Sequence, residues 1–145
     1  MVLGLLACGC QPGVKWDLRP YDDVHARALR EKKLTFVYFR NWASVACTEF
    51  EDKVLKQPPV LQALEPLVCV PLDLLWDKAL AERWGISEIP GCAVVGQDSQ
   101  LLEKVQGAVS AEQLLSAVQA AKAKGAAAPA APASQASRPV EMSKN

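Results

Sequence analysis

The apolar run Leu34-Thr-Phe-Val-Tyr-Phe39 leads into Asn41-Trp42-Ala43-Ser44-Val45-Ala46-Cys47-Thr48-Glu49-Phe50-Glu51, and this junction constrains the chain more than any other stretch. The run is rich in β-branched and aromatic residues, the pattern of a strand buried on both faces in a central sheet position. The segment after it reads as a helix, with Cys47, Phe50 and Val54 inward and Glu49, Glu51, Asp52, Lys53 and Lys56 outward. Pro58 and Pro59 stop it. A cysteine in the first helical turn lies beside unpaired N–H groups and the positive end of the macrodipole, which stabilise a thiolate. Ser44, three residues earlier, is placed to cap the helix. A serine hydroxyl is a poor nucleophile without a hydrogen-bonded base.

The flanking segments repeat the alternation of strand and helix. Asp22 or Asp23 can cap a helix running to about Lys33, with Tyr21, Val24 and Ala28 on its apolar face and His25 solvated off that face. Leu67 to Asp73 is a second apolar strand, with Pro71 near its end. A helix from Lys78 to Trp84 is ended by Gly85. Gly91-Cys-Ala-Val-Val95 forms a third strand, and Leu101 to Gln106 returns as its hairpin partner after a turn-rich stretch. Ser110-Ala-Glu-Gln113 is a capping-box sequence opening a last helix. The order β-α-β-α-β-β-α after an N-terminal helix predicts an α/β domain, a mixed central sheet with helices on both faces.

Residues 1–15 form an apolar N-terminus and tether, 16–122 the folded domain, and 123–145 an Ala/Pro-rich tail that cannot bury enough surface to offset chain entropy. Met1 to Cys10 is too short to span a membrane, which takes about 20 apolar residues. It reads as the end of an export signal and resembles a bacterial lipoprotein box, in which Cys10 or Cys8 is the lipidated cysteine. Sixteen basic and sixteen acidic residues leave no net charge and no electrostatic case for nucleic-acid binding. With a single histidine and no paired C-x-x-C among five cysteines, neither a metal site nor a cofactor is expected.

This order, with Trp16, Lys32-Lys33, the helix start Val45 to Glu51, Pro59 to Leu64 and the loop Trp84-Gly-Ile-Ser-Glu-Ile-Pro90, resembles the thioredoxin fold. It is most similar to the C-terminal thioredoxin-like domain of the DsbD family of envelope thiol–disulfide reductases. The resemblance implies a cis bond before Pro90 and a groove at Ile89 and Pro90 that holds an extended peptide. It also shows what has changed. Ser44 stands where the nucleophilic cysteine of the C-x-x-C would be, Ala43 where a tryptophan precedes it, and Tyr38 where a buried acid assists proton transfer. Cys47 matches the recessed, resolving cysteine. Cys69 is placed on the strand next to Tyr38, where it is either a buried structural thiol or a disulfide partner of Cys47, and a bridge needs Cα atoms within about 7 Å.

Two functions follow as expectations. One is a monomeric, envelope-anchored, periplasm-facing module that keeps the peptide groove and has lost dithiol turnover. The other is a monothiol redox protein using Cys47. A peroxidase using Cys47 lacks the usual exposed thiolate and supporting arginine.

Overall fold

The computed structural model describes residues 13–127. Its elements are α1 (Tyr21–Arg30), β1 (Thr35–Arg40), α2 (Val45–Phe50), a π-helical turn (Glu51–Leu55), α3 (Pro58–Leu64), β2 (Val68–Asp73), α4 (Lys78–Arg83), β3 (Gly91–Val95), β4 (Leu101–Gln106) and α5 (Ala111–Ala127). The sheet order is β2-β1-β3-β4. β1 runs parallel to β2 and antiparallel to β3, and β4 closes the hairpin. Trp16 extends the other edge through a parallel bridge to Cys69, and Asp17 N donates to Cys69 O at 2.8 Å.

β1 is central, and its alternation divides the core. Phe36 and Tyr38 face α2, α3 and α5, packing with Phe50, Val54, Leu64, Leu114 and Val118. Val37 and Phe39 face α1 and α4, packing with Val24, Ala28, Ala81 and Trp84. Burying a side chain of this size stabilises by roughly 1.5–3 kcal/mol, against about 0–1 kcal/mol for an exposed ion pair. These two layers, and not the surface charges, hold the fold.

Several details depart from the sequence reading. α1 ends at Arg30, because Lys32 turns to φ 55° and Lys33 N bonds back to Ala28 O at 2.9 Å. Its N-cap is Pro20, so Asp22 and Asp23 sit inside the first turn instead of capping it. His25 is buried, not solvated. It follows Tyr21 by four residues and precedes Ala28 by three, which puts it on the packed face. α4 stops at Arg83, one residue before Trp84, and Gly85 (φ +64°) ends the turn.

α5 crosses the expected boundary at 122 and continues to Ala127. Lys124 pairs with Glu103 at 2.5 Å, and Leu34 packs closely over Gly125, where a Cβ would lie 2.9 Å from its Cδ2 and require that side chain to shift. The capping box is reciprocal, with Ser110 N donating to Gln113 Oε1 and Gln113 N to Ser110 Oγ. The apolar N-terminus with Cys8 and Cys10, and the tail beyond Ala127, lie outside the described residues. No helix among the described residues is long and apolar enough to cross a membrane.

Candidate functional site

Because β1 and β2 are parallel, both deliver their C-terminal loops to one end of the sheet, where Leu74 N donates to Arg40 O at 3.0 Å. β3, antiparallel to β1, begins at that end, directly after Ile89–Pro90. The strand–helix junction and the Pro90 loop therefore meet by topology.

After Arg40 the chain turns through Asn41, whose side chain accepts Ala43 N at 2.8 Å and whose carbonyl accepts Ser44 N at 3.1 Å. Ser44 has the extended backbone of an N-cap, and its Oγ accepts Cys47 N at 3.3 Å. Its oxygen is engaged with the backbone, and no base is hydrogen-bonded to it among the described residues. Cys47 is wholly buried. The geometry places a half-buried capping hydroxyl at the helix start and keeps the thiol inside.

Behind Cys47 lies a network that the sequence reading missed. Tyr38 Oη donates to Glu51 Oε1 at 3.2 Å and lies 3.4 Å from Cys47 O. Arg40 Nη1 pairs with the same Glu51 oxygen at 3.1 Å. The Arg40 guanidinium also lies 3.9 Å from the centre of the Trp42 ring, and its Nε is buried without a hydrogen-bond partner among the described residues. Trp16 and Phe50 hold the Tyr38 ring at 5.7 and 5.6 Å. Burial, then the nearby Cys47 and Glu51 charges, push the Tyr38 phenol far above its ordinary range. Glu51 was assigned to the outer face, yet it follows Cys47 by four residues and so lies over the same stripe. That spacing was the available signal. The π-helical turn then brings consecutive Val54 and Leu55 into the core.

Cys69 and Cys92 are buried free thiols, as is Cys47. Burial pushes Cys69 up to about 12, and its Sγ faces Leu64 O and Leu67 O. Cys92 is raised further, by burial and by the charges of Cys47 and Cys69. Neither thiol is primed for nucleophilic chemistry.

The Ile89–Pro90 bond is cis. Gln106 Oε1 accepts Ser87 N and Glu88 N, and Gly107 N donates to Pro90 O at 2.9 Å, so the end of β4 holds the loop. Gly91 is obligatory, since a Cβ there would lie 2.8 Å from Ile86 and 2.9 Å from Glu88 O. Between this loop and α2 runs a groove of about 320 Å³, lined by Ala46, Phe50, Val54, Ile89, Pro90 and Val109 among others. Ser44 and Cys47 are not among its lining residues. Outside the groove the same end exposes Trp42 (77 %), Val45 (74 %), Leu75 (72 %) and Trp76 (88 %).

No protein-family model and no curated protein matches the sequence. Solved structures do. A thioredoxin from Thermus thermophilus superposes with a TM-score of 0.69 at 20% identity, over 80% of this chain and 92% of its own. A putative disulphide-isomerase from Bacteroides thetaiotaomicron gives 0.68 at 20% identity, over 79% and 97%. The fold is therefore the α/β thioredoxin fold. The Neisseria meningitidis DsbD C-terminal domain in the reduced form matches with a TM-score of 0.58 at 25% identity, over 68% of this chain and 90% of its own, so the protein is thioredoxin-like and DsbD-like.

Proposed function

We propose that this is a thioredoxin-fold protein of the bacterial cell envelope that binds an extended segment of a partner protein beside Ile89 and Pro90, without dithiol–disulfide turnover. The observation that carries this reading is the pair Ser44 and Cys47. Dithiol exchange needs an accessible thiolate to attack and a second thiol to resolve the mixed disulfide. Here the helix-start position is a half-buried capping hydroxyl, and the sulfur three residues on is buried. The groove depends on neither residue, so it can outlast the reaction.

The test is insulin reduction with dithiothreitol. The expected outcome is no rate above background for the native chain. Robust turnover that Cys47→Ala abolishes would instead establish the second reading, a monothiol redox protein. That reading draws its support from the Tyr38–Glu51–Arg40 network packed against Cys47. The envelope assignment rests on the DsbD-like resemblance and on the lipoprotein-like N-terminus, with the anchor at Cys10 or Cys8. Mass spectrometry of the N-terminal peptide from membrane fractions checks it, and an unmodified peptide rejects the anchor.

A further inference from the structure

At the end of the sheet away from Cys47, His25 joins three elements. It belongs to α1, is 8 % exposed, and stacks on Tyr21 with centroids 5.4 Å apart and planes within 8°. Nδ1 lies 3.0 Å from Thr35 Oγ1 at the start of β1, and Nε2 lies 2.8 Å from Ser99 Oγ in the β3–β4 turn. Ser99 adopts φ 62°, a left-handed conformation a serine rarely takes. The turn has a second tie to α1 through Gln97, whose side-chain amide donates to Lys33 O and Ala28 O.

The hydroxyls decide the tautomer. Thr35 is fully buried, and among the described residues its hydroxyl has no partner other than His25. A buried O–H left without an acceptor costs about 1–3 kcal/mol, so Thr35 donates to Nδ1. The ring hydrogen then sits on Nε2 and is donated to Ser99 Oγ. With the opposite tautomer the same three residues would form a nucleophile, base and orienter. As arranged, the basic lone pair faces Thr35 and Ser99 is not activated.

We propose that His25 is a pH-sensitive latch: as a neutral ring it fastens the β3–β4 turn to α1, and its protonation releases the turn. A proton on Nδ1 would face the Thr35 hydroxyl, which must then aim its own hydrogen into an interior without an acceptor. The new cation would also lie flat against Tyr21 in a site almost closed to water.

Few charges offset this. Asp22 on the same helix favours protonation, but burial outweighs it and holds His25 below its ordinary value of 6.5. Tyr21 is a neutral phenol, pushed up to about 12 by burial and by the Asp22 charge, with the Arg83 charge of α4 opposing. From the turn, Asp98 is engaged by Gln100 N at 3.1 Å, and from the loop before β1, Lys33 is paired with Glu31. Among the described residues no carboxylate is bonded to the ring. Protonation leaves the Nε2–H bond to Ser99 in place, so the release is driven by the charged ring's lack of solvation: Ser99 is the exposed member of the cluster, and lifting the turn is the route by which water reaches the ring.

Heteronuclear NMR of the full chain, following the ring nitrogens and amide exchange from about pH 7.5 to about pH 5, tests the latch. At the upper limit the ring should carry its hydrogen on Nε2. As His25 titrates, the opening equilibrium of the 97–100 amides, corrected for intrinsic exchange, should rise by up to about tenfold per pH unit. Amides of α2 should not respond. Ser99→Ala, at an exposed position that does not threaten the fold, should raise the opening equilibrium of the turn at neutral pH by up to about tenfold, with the Gln97 tie remaining, and reduce its pH dependence. Three results would overturn the proposal: a ring hydrogen on Nδ1 at neutral pH, labelling of Ser99 by a fluorophosphonate probe, or turn protection unchanged while His25 titrates.

Discussion

The two ends of the sheet are built differently. At the end holding His25, polar groups are matched in pairs: Thr35 and Ser99 to the imidazole, Gln97 to two carbonyls of the α1 terminus, Lys124 to Leu102 O and Glu103. The end holding Cys47 is unfinished in comparison. Among the described residues Trp42, Val45, Leu75 and Trp76 are exposed, and Arg40 keeps a buried Nε without a partner. Large apolar side chains gathered at one end of a domain mark an interaction surface more often than chance exposure does. The matched end fastens α1, the β3–β4 turn and α5 to their neighbours, while the unmatched end carries the exposed apolar surface that the proposed partner would cover.

Breaking the centre of the unmatched end should cost most. Tyr38 is wholly buried between Trp16 and Phe50, and Tyr38→Ala should destabilise by roughly 3–5 kcal/mol in urea unfolding. Tyr38→Phe keeps the ring and loses only the bond to Glu51, so it should cost about 0.5–1.5 kcal/mol. Equal losses for the two variants would mean that the hydroxyl, not the ring, matters here.

Next in size is Glu51→Gln, which leaves the Arg40 charge without its counterion. Both partners are partly exposed, so the loss should be about 1–2 kcal/mol, well below the 3–5 of a fully buried pair. A double-mutant cycle with Arg40→Met measures the coupling itself, and a value near zero would reduce the network to packing.

Ser44→Ala should cost about 1 kcal/mol by removing the N-cap of α2. Ser44→Cys is the sharper companion. If insulin reduction appears, the remaining site is competent and only the attacking sulfur was lost. If it stays absent, the changes at Tyr38 and Ala43 also contribute.

How much of this was legible depends on the range of the forces involved. The strands and the Ser110 cap follow from local periodicity and turn chemistry, which a sequence displays directly, while the groove proline follows from the resemblance to the thioredoxin fold. Glu51 and His25 were both assigned to solvent because polar side chains usually face it. Each nevertheless sits three or four residues from a buried neighbour, and each is drawn inward by partners distant in sequence: Arg40 and Tyr38 for one, Thr35 and Ser99 for the other. The exposure of Leu75 and Trp76 depends on the path of the loop after β2, which local periodicity does not display.

The smallest effect is expected from titrating the matched end, and its sign separates the two ends. Burial lowers the His25 pKa below 6.5 in the folded protein, whereas the unfolded chain titrates near 6.5. Between those values the unfolded state binds more protons, so stability falls as pH drops through that window and is flat just above it. The carboxylates act at lower pH. Arg19 hydrogen-bonds to Asp17 and holds it far below the usual carboxylate range, so its contribution is lost only in strong acid. Urea midpoints measured against pH should therefore show a shallow step just below neutrality, absent in His25→Gln, followed by a larger acid transition that both proteins share. If the turn lifts when His25 protonates, the imidazolium regains water and the step cannot exceed the free energy of opening the turn. A step that keeps deepening until the acid transition would mean that the ring stays enclosed, with the matched end as rigid when charged as it is when neutral.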